Sequence, residues 1–146
     1  QLPINDRLAV FSDILSFLEC VVSRNYVAID FFDGSIMYDF VNGKTTICDI
    51  DLFRKQPCVN DMGHMWGSSR FQSPEEHQLG ADIDEITNVY TLGATAFALF
   101  GEYNRTREKW QLSDKLFEIA TRAVNDDRAN RQQTIRQFTA EWEAAQ

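Results

Sequence analysis

The chain has 146 residues, enough for one domain with a sizeable core, and with 44% hydrophobic and 25% charged residues its composition is that of an ordinary globular protein. Its net charge of −8 argues against a nucleic-acid backbone as partner and leaves no polybasic patch for a membrane surface. No apolar run reaches the length of a membrane span, no signal peptide opens the chain, and Cys20, Cys48 and Cys58 read as reduced thiols of a cytoplasmic protein.

Leu8, Phe11, Leu15, Leu18 and Val22 recur at steps of three and four, which predicts a helix started by Asn5 or Asp6. Residues 26–32 are a short aromatic and β-branched run, read as a strand. Residues 36–40 and 45–50 flank Asn42-Gly43, which predicts a hairpin whose two central residues both take positive φ. No period holds from 52 to 79, and a loop of that length inside a domain is usually functional or disordered. Cys48, Cys58, His64 and His77 match no structural zinc spacing.

Helical periodicity returns over 84–100. There Ile86, Val89, Tyr90, Leu92, Ala96, Phe97 and Phe100 nearly surround the axis, so this helix is expected at the centre of the domain, with Gly101 as its C′ residue. Ser113 opens a further helix carrying Leu116, Ile119, Ala120 and Ala123. Thr134 and Gln137 form a capping box for the last one, whose buried side is Ile135, Phe138 and Trp142. The fold class is mainly α with a small β-hairpin.

Four stretches carry chemistry: residues 28–37 around Asp30, Cys48-Asp49-Ile50-Asp51 after the hairpin, Gly67-Ser68-Ser69-Arg70-Phe71-Gln72-Ser73-Pro74-Glu75, and Asn88-Val89-Tyr90-Thr91-Leu92-Gly93. Taken as residues alone, Asp30 and Asp49 also read as strand-end acids that make turn hydrogen bonds. In this order the four stretches resemble the catalytic loop, the D-F-G motif, the end of the activation segment and the central helix of the C-terminal lobe of Ser/Thr protein kinases. The resemblance covers residues 1–146 as one such lobe.

The resemblance implies that Asp30 is the catalytic base and Asp49 a Mg²⁺ ligand, with ATP as co-substrate and a protein as acceptor. Ser35 aligns with the family's second metal ligand. Ser68 stands at the Thr that hydrogen-bonds near the catalytic Asp. Glu75 would pair with Arg131, and Asn88 would hold the catalytic-loop backbone.

Several family residues are replaced. Ala28 and Ile29 stand for His-Arg of the catalytic loop, Phe32 for the loop Lys and Asp51 for the D-F-G glycine, with Asp33 or Asp39 as further candidate metal acids. These losses leave a pseudokinase scaffold that binds a protein partner, or a small-molecule kinase, as alternatives to an active protein kinase. No Gly-rich phosphate loop or strand Lys occurs in these residues, so the N-terminal lobe is expected to precede Gln1. Its absence should uncover Phe31, Phe32, Met37, Phe40 and Phe53, a surface through which the chain is expected to self-associate.

Overall fold

The computed structural model describes residues 2–146. Helix α1 (Ile4–Ser23) starts at Pro3 rather than at Asn5 or Asp6. The proline ring presets φ at −53°, its carbonyl accepts the Arg7 amide at 3.1 Å, and no side chain caps the end. The buried face is Val10, Phe11, Ile14, Leu15, Leu18 and Val21, with Leu8 and Val22 at its rim. Asn25, at φ 63°, then turns the chain into β1 (Tyr26–Val27), which pairs antiparallel with β4 (Arg54–Lys55). The strand expected over 26–32 ends at Val27, because Ala28 takes its next hydrogen-bond partners from a side chain on a helix.

The hairpin forms as β2 (Ile36–Asp39) and β3 (Lys44–Ile47), in the register Ile36↔Ile47 and Asp39↔Lys44. Its connection differs from the two-residue turn that Asn42-Gly43 predicts. Four residues lie between the strands, and of the pair only Gly43 has positive φ. The cause is Asp39, whose carboxylate accepts the amides of Val41 at 2.9 Å and Asn42 at 3.2 Å and the Asn42 side chain at 2.7 Å. An Asp that caps the turn in this way stabilises the longer loop.

The aperiodic stretch 52–79 is ordered by buried side chains rather than by regular structure. It contains β4, then β5 (Cys58–Val59), which pairs with β6 (Asp82–Ile83), and a 3₁₀ turn at Pro74–His77. Asn60, fully buried, donates to the carbonyls of Gly63 at 2.7 Å and Glu75 at 3.1 Å, and accepts the amides of Met62 and Gly63.

Helix α2 (Glu85–Phe100) begins at Asp84, whose carboxylate accepts the Ile86 amide at 2.9 Å. It is buried on nearly every side and packs against α1, α3 (Asp114–Ala123) and α4 (Ile135–Ala144). A Cβ on Gly93 would lie 2.7 Å from that of Ala123, so glycine sets the close approach of α2 and α3. Gly101 ends the helix at φ −128°, outside the left-handed region; Glu102 and Tyr103, which follow it, are the left-handed residues. Ser113 caps α3 as expected. Thr134 accepts the Gln137 amide at 2.9 Å, but Gln137 accepts from Gln133, so only half of the capping box forms.

The core between the four helices is aromatic. Phe11 lies 4.6 Å from Trp142 between ring centroids, and Phe97, Phe100, Trp110 and Phe138 complete the cluster. Each such side chain contributes about 2–3 kcal/mol of burial free energy. The fold is mostly helical with three two-stranded antiparallel sheets. Phe31 is a correction to the expected exposed surface: it is 5% exposed because it stacks on Phe17 at 6.1 Å. Phe32 and Phe53 are half-buried, whereas Met37 and Phe40 are exposed at 61% and 79%.

Candidate active site

Asn88 fixes the start of the loop that carries Asp30. From α2 its side chain accepts the Ala28 amide and donates to the Ala28 carbonyl, both at 2.8 Å and both buried. A neutral amide can do both, because it has a donor and an acceptor in one plane. Ile29 anchors the next position by packing with Val27, Met65 and Ile83. Asp30 then stands at φ 58° and Asp49 also at φ 58°, two non-glycine residues held left-handed at a cost of order 1 kcal/mol each.

Ser35 joins these two acids. It is fully buried, its hydroxyl donates to the Asp30 carbonyl at 3.4 Å, and its own carbonyl accepts the Cys48 amide at 2.9 Å. The hairpin register therefore returns Asp49, one residue past Cys48, to the loop bearing Asp30. Burial, then the charge of Asp49, then that of Asp51 push the Asp30 carboxyl above the usual range. Among the described residues none of these three acids has a cationic partner within ion-pair distance. Asp39 lies at the opposite end of the hairpin and is committed to the turn, and Asp33 accepts the Tyr103 hydroxyl.

The segment 65–76 closes over Asp30 from another side. Gly67 has φ 137°, and a Cβ there would sit 3.4 Å from Asp30 Oδ1 and 3.2 Å from Gln72 Nε2. Gln72 is buried and donates to the carbonyls of Met65 at 2.8 Å and Trp66 at 3.1 Å, which tightens the turn. Ser68 gives its carbonyl to the Phe71 amide at 2.9 Å, and among the described residues its hydroxyl makes no hydrogen bond. Gly67 is thus a residue of this segment that abuts Asp30.

Glu75 and Arg131 form a buried bidentate pair at 2.7 and 3.0 Å, with exposures of 6% and 0%. Thr87 donates to the same carboxylate at 3.1 Å, the Arg131 Nε donates to the Asn125 carbonyl, and the guanidinium lies 5.0 Å from the centroid of the Tyr90 ring. Burial pushes the Glu75 carboxyl up, but the hydrogen bond and charge of Arg131 outweigh it, and the net direction is down. Glu76 has no such cation. Its carboxylate accepts the Ser73 amide and hydroxyl, and burial pushes it up to about 7.

A third group of contacts was invisible in the sequence. The Tyr103 hydroxyl donates to Asp33, its ring meets Phe71 edge-on at 6.4 Å, and the Arg70 guanidinium lies 5.3 Å from its centroid. Left-handed φ at both Glu102 and Tyr103 makes this possible, and no glycine marked the position.

No family model matches the sequence, and no curated protein sequence matches it. Among solved structures the chain is similar to that of the Cydia pomonella granulovirus kinase PK-1, with a TM-score of 0.76 at 15% identity over 97% of this chain. The fold is protein-kinase-like. The chain spans 59% of the length of that viral kinase. No helix among the described residues is long and apolar enough to cross a membrane.

Proposed function

We propose that this chain is the C-terminal, catalytic lobe of a Ser/Thr-type protein phosphotransferase that moves the γ-phosphoryl group of ATP to a protein hydroxyl. The observation that carries the reading is the link through Ser35, which ties the loop of Asp30 to the residue before Asp49 at one end of the hairpin. The donor set fits Mg²⁺. The charges of Asp49 and Asp51 both act on the Asp30 carboxyl, and among the described residues none of the three has a cation within ion-pair distance, which is the environment a hard divalent ion relieves. No cluster of three or more His, Cys, Asp or Glu among the described residues encloses a metal, and Mg²⁺ typically takes one or two carboxylates with substrate phosphates completing its shell.

Asp49 would hold Mg²⁺, and the ion when bound would offset the negative charge of the phosphates; Ser35, aligned with the second metal ligand but fully buried and bonded to Asp30 and Cys48, would position the two acids instead. Asp30 orients the acceptor hydroxyl and takes its proton as the new O–P bond forms and the bond to the β-phosphate oxygen breaks. Asn88 supports Asp30 through Ala28, and Gly67 leaves room beside its carboxylate. Glu75 and Arg131 fix the segment on which an acceptor peptide would lie. Phe32 supplies no cation where the family uses Lys, so a bound metal would have to offset more of the transition-state charge. A small lobe is the partner we assign to the face of β2 and β3 bearing Met37 and Phe40.

The test is ATP-dependent phosphorylation of a serine peptide library by the complete protein. Asp30→Asn is expected to lower kcat by about 10²–10⁴-fold with unchanged thermal stability. Full activity in that variant would remove the role given to Asp30. Absent activity with nucleotide-independent partner binding would favour the scaffold.

A further inference from the structure

Arg70 and Arg105 are two guanidinium groups for which no carboxylate lies within ion-pair distance among the described residues. Other surface cations of the chain are also unpaired, but these two are held in place. Arg70 is stacked 5.3 Å from the Tyr103 ring centroid. Arg105 lies 5.2 Å from the centroid of Tyr90, donates to the Tyr90 hydroxyl at 2.9 Å and donates to the Arg70 carbonyl at 3.2 Å. A guanidinium whose plane and position are fixed loses less side-chain freedom on meeting an anion than a free one does.

The same contacts key the pair to the candidate catalytic loop. Tyr103, the seat of Arg70, is bonded through its hydroxyl to Asp33, three residues beyond Asp30. Arg70 itself belongs to the segment that begins at Gly67, against Asp30. The neighbouring acids are already engaged: Asp33 by Tyr103, and Glu102 by Lys109 at 3.5 Å. Two uncompensated, oriented cations beside an acceptor site, in a chain of net charge −8, form a local exception to the field of the molecule.

We infer that Arg70 and Arg105 form an acceptor-specificity seat for an acidic side chain, a carboxylate or a phosphate monoester, on a peptide segment. The inference rests on the phosphotransferase reading for the word acceptor, but its binding chemistry stands apart from phosphoryl transfer.

Fluorescence anisotropy with the chain tests it. The probes are labelled decapeptides with one central serine, flanked by Glu, by phosphoserine, by Gln or by Lys. The Glu peptide is expected to bind about five- to tenfold tighter than the Gln peptide, with the Lys peptide weaker still. Arg70→Gln and Arg105→Gln should each reduce that preference, the pair should abolish it, and Arg70→Lys should retain part of it. A larger preference for the phosphoserine peptide, lost in the same variants, identifies phosphate as the anion recognised. Equal binding of all four peptides, or a preference that survives in the double variant, overturns the inference. ATP-dependent labelling of the same peptides by the complete protein separates the two readings. Charge-selective binding without labelling counts against the phosphotransferase alone.

Discussion

Replacing Arg131 by methionine is expected to destabilise the protein by about 3 kcal/mol at pH 7. Breaking a buried ion pair from one side costs roughly 3–5 kcal/mol, because the remaining charge stays desolvated. Arg128 lies 3.9 Å from the Glu75 carboxylate and can compensate in part, which places the cost at the low end. For a domain of this size that corresponds to a fall in Tm of about 10 °C. In the parent protein the Glu75 carboxyl is held below its ordinary value of 4.5, so its contribution is present above that pH and is lost as pH falls through the folded value. Without Arg131 the dominant remaining influence is burial, which raises it, so acidification relieves the variant. Urea denaturation followed by circular dichroism should therefore show a gap that narrows between pH 7 and pH 5. The double replacement Glu75→Leu with Arg131→Met should recover most of the loss. A cost below about 1 kcal/mol, or a gap that widens on acidification, would refute the reasoning.

Glu76→Gln probes the opposite sign. Its folded value is raised from 4.5 to about 7, so its stabilising contribution is complete below 4.5 and is lost as pH rises through 7. The glutamine variant should match the parent near pH 4.5 and exceed it by roughly 3 kcal/mol near pH 8, read from denaturation midpoints; equal stability at pH 8 would show that the burial argument is wrong. Asn88→Ala leaves the Ala28 amide and carbonyl buried without partners and should cost about 2–4 kcal/mol in the same assay, and a loss under about 0.5 kcal/mol would show that water replaces the amide. The chain is expected to self-associate in sedimentation velocity and Met37→Ser with Phe40→Ser to make it monomeric, and a monomeric parent or an unchanged profile in the variant would show that copies do not meet at this surface.

The elements legible in the sequence were those with a period or a cap. α2 is apolar nearly all round and α3 starts on Ser113, and both formed where expected. The hairpin was legible but its connection was not, because one Asp39 carboxylate with three hydrogen bonds outweighs the preference of Asn-Gly for a two-residue turn. Residues 52–79 resisted reading for a related reason. Their order comes from Asn60, Gln72 and the Ser73–Glu76 box, and buried side-chain to backbone bonds leave no repeat in a sequence. At the candidate site, the resemblance marked Asp30, Asp49, Glu75, Arg131 and Asn88, and each of the last three makes a buried contact. It did not mark Gly67 and Gln72, whose close approach to Asp30 and buried bonds to Met65 and Trp66 shape the same turn, since a motif letter carries no information about which neighbour turns inward. Tyr103 and Asp33 meet across 70 positions through two left-handed residues, which no local pattern announces.

The bond from the Cys48 amide to the Ser35 carbonyl also limits how far the segment leading to Asp49 can move. With the Ile47–Cys48 peptide unit clamped to the neighbouring loop, Asp49 can change direction only through the bonds that follow that unit, the Cys48 and Asp49 torsions and its own side chain. A larger withdrawal, one that carries Cys48 along with Asp49, would first have to unzip the open end of the hairpin.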